Sequence, residues 1–156
     1  MLRILFVLNI IFVCGYGERR LACSSKTGEL WYTCKGEGFN YISFNVEPCL
    51  QMQSVSFTLS YTIIPMKKLQ HLRFKAHVWF ENQLVVDFYV NDVFCEDNEV
   101  PDVKLCELVK GETLSDSIYF VNHRYPLTKG KYDMILRLTD GTGHDILTCD
   151  CTATIK

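Results

Sequence analysis

The sequence carries no excess of positive charge: 16 lysines and arginines stand against 18 aspartates and glutamates, a net charge of −2. That balance argues against nucleic acid as a partner, because affinity for phosphate backbones rests mainly on clustered cations. Long apolar runs are scarce too. The longest, Ile4 to Val13 with Asn9 inside it, falls short of the ~20 residues that a bilayer-spanning helix needs, so no transmembrane segment is expected. No Asn-x-Ser/Thr triplet occurs, so N-glycosylation is not expected. From Glu18 onward no segment has a helical apolar period with caps.

Signals for catalysis are missing as well. The chain has no G-x-S-x-G elbow, no H-E-x-x-H pair and no Walker loop. Gly141-Thr142-Gly143 is too short for a phosphate cradle and fits a hairpin. His71 and His77 fall on the polar side of an expected strand ending at Phe80 and read as solvated side chains. Cys149-Asp150-Cys151, near His144 or His123, lacks the spacing of a zinc knuckle or ribbon. The expectation is a non-enzymatic protein with no catalytic residue, metal or cofactor.

What is present begins with an address. Met1-Leu2-Arg3 is a short basic start, the apolar run follows, and Gly15 and Gly17 flank Tyr16 as small residues before a cleavage point. Residues 1–17 therefore read as a secretory signal peptide and residues 18–156 as one extracellular domain. Without Arg3 the balance becomes 15 basic against 18 acidic residues, a net charge of −3. With 48% hydrophobic and 13% aromatic residues the remainder has enough apolar side chain to fold. It retains Cys23, Cys34, Cys49, Cys95, Cys106, Cys149 and Cys151, an odd set that suggests three disulfides and one thiol in an oxidising compartment. Spacing alone leaves the pairing open.

Alternation of apolar and polar residues is the main structural signal. Val55, Phe57, Leu59, Tyr61 and Ile63 alternate with serines and threonines from Ser54 to Thr62, the pattern of a half-buried strand. After a turn at Pro65 to Lys68, Leu72, Phe74, Ala76, Val78 and Phe80 share one face, with Arg73, Lys75, His77 and Trp79 on the other. Glu81-Asn82 begins a hairpin into Leu84, Val86, Phe88 and Val90. Ile42-Phe44-Val46, Tyr132-Met134-Leu136-Leu138 and Leu147-Cys149-Cys151-Ala153-Ile155 repeat the pattern, with an Asp140-Gly141 turn between the last two. About eight such strands predict an all-β, antiparallel two-sheet sandwich.

The cysteines and their surroundings resemble the ML lipid-recognition family, most closely its co-receptors of Toll-like receptors. The resemblance runs through Cys23, Tyr32-Thr33-Cys34, Ile42-Ser43-Phe44-Asn45-Val46-Glu47-Pro48-Cys49, Cys95, Cys106, Lys110-Gly111-Glu112-Thr113 and Lys129-Gly130-Lys131-Tyr132. It covers nearly the whole of residues 18–156 and implies an immunoglobulin-like sandwich whose sheets part to hold acyl chains. By position, Ile42, Phe44, Val46, Leu59, Tyr61, Ile63, Phe74, Val78, Phe120, Leu127, Tyr132 and Leu136 would line that space. The resemblance also implies disulfides Cys23–Cys49, Cys34–Cys149 and Cys95–Cys106, with Cys151 free; Cys151 shares a face with Cys149 and is the alternative partner of Cys34.

At the expected rim the sequence departs from the family. Phe88-Tyr89-Val90-Asn91-Asp92 and Gln51-Met52-Gln53-Ser54-Val55-Ser56 lack the basic residues of lipopolysaccharide-binding members, and the loop aromatic is replaced by Leu127. Lys67, Lys68, Arg124, Lys129 and Lys131 remain as cations that would meet lipid phosphates or the receptor. The function implied is a secreted co-receptor at the cell surface. It would hold an acylated lipid, lipopolysaccharide or an endogenous one, and associate with a Toll-like receptor ectodomain. The alternatives are a co-receptor acting without lipopolysaccharide and a soluble lipid carrier or activator.

Overall fold

The computed structural model of the protein describes residues 17–91, 107–121 and 126–156. The expected Cys95–Cys106 bridge, Arg124 and the expected signal segment up to Tyr16 lie outside these residues. The described residues form strands and no helix. In chain order these are β1 (Arg20–Ser24), β2 (Gly28–Lys35), β3 (Phe39–Glu47), β4 (Ser56–Pro65), β5 (Leu69–Gln70), β6 (Arg73–Phe80), β7 (Gln83–Val90), β8 (Glu107–Leu108), β9 (Leu114–Val121), β10 (Gly130–Thr139) and β11 (Asp145–Ile155). One antiparallel sheet has six strands in the order β1-β2-β11-β10-β6-β7, and a second has three, β3-β4-β9. β5 and β8 form a separate short pair. This is the all-β, two-sheet sandwich that the alternation predicts.

Side-chain parity explains the layers. Ile42, Phe44 and Val46 lie opposite Ile63, Tyr61 and Leu59 on one face of the small sheet. On the large sheet, Tyr132, Met134, Leu136 and Leu138 lie opposite Phe80, Val78, Ala76 and Phe74. The same four oppose Ala153, Cys151, Cys149 and Leu147 on their other side. Because the period of a strand is two, each apolar set faces the space between the sheets while its polar neighbours face out.

The loops account for the register. Glu81 and Asn82 have φ of 48° and 70°, the paired left-handed conformation of a two-residue hairpin. The β10–β11 turn is longer than the Asp140-Gly141 signal implies. Asp140 Oδ1 accepts from Thr142 N at 2.9 Å, Thr142 Oγ1 at 2.6 Å and His144 N at 3.1 Å, and Gly143 takes the left-handed φ of 85°. The Thr142 hydroxyl is the main cause that holds the Asp140 carboxyl below its ordinary value.

Two local expectations are corrected. His71 is not on a strand: it has φ of 53° in the turn between β5 and β6. Leu84 does not share a face with Val86 and Phe88. A bulge between Val78 and Trp79 sets Leu84 opposite Trp79, whereas Val86 and Phe88 oppose Val78 and Ala76.

The two sheets are tied along one edge. Cys23, in β1, is bonded to Cys49 just after β3. Arg20 Nη1 donates to the Ile42 carbonyl at 3.2 Å, and Phe44 N donates to Tyr32 Oη at 3.2 Å. Cys34–Cys149 joins β2 to β11 within the large sheet, and Cys151 is a buried free thiol. Phe39, Leu69, Ile146 and Ile155 are almost completely buried. Each such side chain contributes about 1.5–3 kcal/mol of hydrophobic stabilisation.

Candidate functional site

Strand number sets the site. Neighbouring strands stand ~4.8 Å apart, so six strands span roughly 24 Å between outer axes and three roughly 10 Å. Anchored along β1 and β3, the small sheet is too narrow to cover the inner faces of β6 and β7. Burial follows this mismatch. The inner rows of β2 and β11 are closed off, whereas Phe44 on β3 and, further across, Phe57, Leu59, Tyr61, Phe74, Val78, Phe80, Leu114, Leu127, Met134 and Leu136 are only partly buried. At the far edge Val86 and Phe88 on β7 are 42% and 46% exposed, and Ile118 and Phe120 on β9 are 42% and 37% exposed.

Aromatic contacts organise this partly open space. Phe57 stacks on Phe120 with centroids 5.1 Å apart, and Phe80 lies 4.8 Å from Tyr132. Phe44 meets Tyr32 edge-on at 5.2 Å, and Phe74 meets Phe88 edge-on at 6.4 Å. Tyr132 Oη accepts from Thr128 N at 2.9 Å, and Gln53 N donates to the Leu127 carbonyl at 2.8 Å. These two bonds pin the loop that carries Leu127 between β10 and the segment after β3. A partly exposed apolar surface with few polar groups suits a flexible hydrocarbon.

Of the twelve positions expected to line the space, the structure divides eleven into two groups and sets one at the lip. Ile42, Val46, Ile63 and Tyr132 are buried and pack as core. Phe44, Leu59, Tyr61, Phe74, Val78, Leu127 and Leu136 are half-buried beside the uncovered region, and Phe120 stands at its lip. Phe57, Phe80, Met134, Val86, Phe88 and Ile118 belong to the same surface, and the expected set omitted them. Most of them lie on the same parity rows as the expected residues.

The expected cationic rim is not one patch. Lys67 and Lys68 are in the turn after β4, where Lys67 lies close enough to Asp140, just beyond the end of β10, to help lower its pKa. Lys129 and Lys131 stand at the start of β10, a strand of ten residues, hence roughly 30 Å from its other end. Lys131 also faces outward, opposite Thr154, and its Nζ lies 2.9 Å from Asp133 Oδ2. On the inner row of β9, opposite Tyr61, the structure places a carboxylate, Asp116, whose Oδ1 accepts from Ser117 N at 2.7 Å.

Comparison with known proteins agrees with this architecture. No family model matches the chain. It is 26% identical over 127 residues to lymphocyte antigen 96 of Homo sapiens, covering 81% of this chain and 78% of that protein. Over 132 residues it is 24% identical to lymphocyte antigen 96 of Bos taurus, covering 85% and 81%. Among solved structures, chicken MD-1 complexed with lipid IVa superposes with a TM-score of 0.66 at 15% identity, covering 89% of this chain and 98% of that one. A Niemann-Pick type C2 protein from Japanese carpenter ant gives a TM-score of 0.53 at 19% identity, covering 86% and 97%. The chain is thus similar in sequence to lymphocyte antigen 96 and shares the fold of MD-1 and the Niemann-Pick type C2 protein.

Proposed function

We propose that this chain is a secreted, non-enzymatic lipid-binding co-receptor that shelters acyl chains between its sheets and associates with a Toll-like receptor ectodomain. The observation that carries the reading is the apolar surface between β6, β7, β9 and β10, which is half-buried on β6 and β10 and exposed on β7 and β9 among the described residues. Exposed contiguous apolar surface of this kind marks a ligand or partner site. Each acyl methylene withdrawn from water contributes about 0.8 kcal/mol, so chains laid along these rows bind tightly without directional contacts. Phe44, Leu59, Tyr61, Phe74, Val78, Phe120, Leu127 and Leu136 would touch the chains, with Ile42, Val46, Ile63 and Tyr132 forming the packed floor. The signal-peptide pattern expected at residues 1–17 and the similarity to lymphocyte antigen 96 support export and the receptor role.

A second reading concerns the head group. Asp116 on the inner row, and basic pairs at opposite ends of β10, favour a lipid without clustered phosphates over doubly phosphorylated lipid A. A soluble carrier of such a lipid would use the same space. Native mass spectrometry of the secreted full chain should find a co-purified acyl lipid, and a fluorescent acyl probe should bind it. A chain that carries no lipid, and binds the probe no better than a β-sandwich with a filled core, would refute the lipid reading. Co-precipitation with Toll-like receptor ectodomains tests the partner separately.

A further inference from the structure

The outward face of the large sheet carries a row of cations that the space between the sheets does not use. Lys75 on β6 lies directly opposite Arg137 on β10. Arg137 lies opposite Thr148 on β11, and Thr148 opposite Lys35 on β2. Arg73 is two residues before Lys75 on the same face. All four cations are exposed, and among the described residues none makes an ion pair. Like charges set directly opposite on paired strands destabilise a sheet. Lys75 and Arg137 do this in a chain whose overall charge is negative.

We infer that this row is a docking strip for a linear sulfated polysaccharide, which would lie across the strands from β6 to β2. The neighbouring rows select that occupant. One row over, about 7 Å along the strands, Asp87 and Asp150 face out, and the row on the other side, which holds Arg73, also holds Asp145 across Thr139. A flat anionic membrane would press against those carboxylates along with the cations, whereas a single polyanionic chain stays within the cation row. An acidic peptide has less to gain. β6, β10, β11 and β2 are all paired on both sides, so they offer no free edge for an added strand. The Thr148 hydroxyl, between Arg137 and Lys35, adds a neutral donor to the strip. This surface faces away from the lipid space, so the inference stands apart from the proposed function.

The test uses the secreted full chain with heparin as probe, alongside fully desulfated heparin, poly-glutamate and phosphatidylserine vesicles. The wild type should bind heparin in a salt-sensitive manner, as exposed charge contacts require. It should not bind the desulfated polymer, and poly-glutamate and the vesicles should be weaker than heparin. Lys75→Gln with Arg137→Gln should weaken heparin binding roughly tenfold, and Lys35→Gln alone roughly threefold, as exposed ion contacts of ordinary strength would give. Lys26→Gln with Lys110→Gln, which removes the same two charges elsewhere, should change nothing. Because a like-charge pair is relieved, the first double variant should melt no lower than the wild type. No heparin binding, equal loss in both double variants, or tighter binding to vesicles or poly-glutamate would overturn the inference. If the first double variant misfolds, Lys35→Gln decides alone.

Discussion

Replacing Phe120 by threonine separates a lipid-lining residue from a structural one, because this ring is already 37% exposed and sits at the lip of the open edge. Its folded-state partner is Phe57, stacked at 5.1 Å. Losing that aromatic pair costs about 0.5–1.5 kcal/mol, and with the partial burial of the ring the loss of stability is about 2 kcal/mol. A domain of ordinary stability, about 5–15 kcal/mol, stays folded. In the lipid complex the missing ring would leave two or three acyl methylenes in water. At about 0.8 kcal/mol each, that is about 2 kcal/mol, or roughly thirtyfold in affinity. Tyr119→Thr supplies the control, since Tyr119 is 66% exposed and opposes Thr58 on the outward face. Titration of a fluorescent acyl lipid, with thermal melts of each variant, reads both quantities. A change below threefold for Phe120→Thr, or an equal loss for Tyr119→Thr, would refute the assignment of β9 to the lipid surface.

Three further outcomes are expected. Cys34→Ala with Cys149→Ala opens a bridge of sequence separation 115. It should lower the unfolding free energy by about 4–5 kcal/mol on chain-entropy grounds, read by denaturant titration. Burial, aided by the adjacent Asp150 carboxylate, pushes the Cys151 thiol up to about 12. The unfolded thiol therefore ionises first as pH rises, so stability falls from about pH 9 upward, and Cys151→Ala should flatten that part of the profile in alkaline melts. Neutralising Lys67 with Lys68, or Lys129 with Lys131, should lower affinity for a phosphorylated lipid and spare its dephosphorylated form. Equal loss for both lipids in binding titrations would point to damaged folding, and no loss for either would make those lysines solvated turn residues.

Strands that bury one face and wet the other were legible in the sequence. β4, β6, β10 and β11 alternate cleanly, and their inner rows meet in the structure as parity requires. β9 did not announce itself. Its inner positions are Leu114, Asp116, Ile118 and Phe120, and its outer ones include Tyr119 and Val121, so a carboxylate within and apolar residues outside blur the period. β2 blurs it in a similar way, because Trp31 faces out beside Tyr32, which faces in. Leu84 was misassigned because a bulge inverts parity without leaving a composition signal. The placement of the basic pairs was not legible for a different reason. Whether Lys67 and Lys129 share an end of the sandwich depends on strand direction and sheet order, which pair residues far apart in sequence.

The same asymmetry that leaves β6 half-covered and β7 exposed explains where the stabilising features lie. Among the described residues, the anchored side carries the Cys23–Cys49 bridge and the Arg20 and Tyr32 hydrogen bonds between the sheets, and Phe39 and Ile146 are almost completely buried. Widening the small sheet by further strands would bury Val86 and Phe88, adding stability at the expense of the proposed site. On this reasoning a bound lipid completes the core at the far edge. A ligand that binds only the folded state stabilises it by about 2.7 kcal/mol at a hundredfold excess over Kd. If the proposed function holds, melting of the protein should fall by several degrees once co-purified lipid is stripped and recover when lipid is returned. Phe120→Thr should shrink that recovery while leaving the melt of the stripped protein close to the value set by its own packing loss. If stripping left the melt unchanged, the uncovered face would be completing its burial against some other surface, and the lipid could not be the missing part of this core.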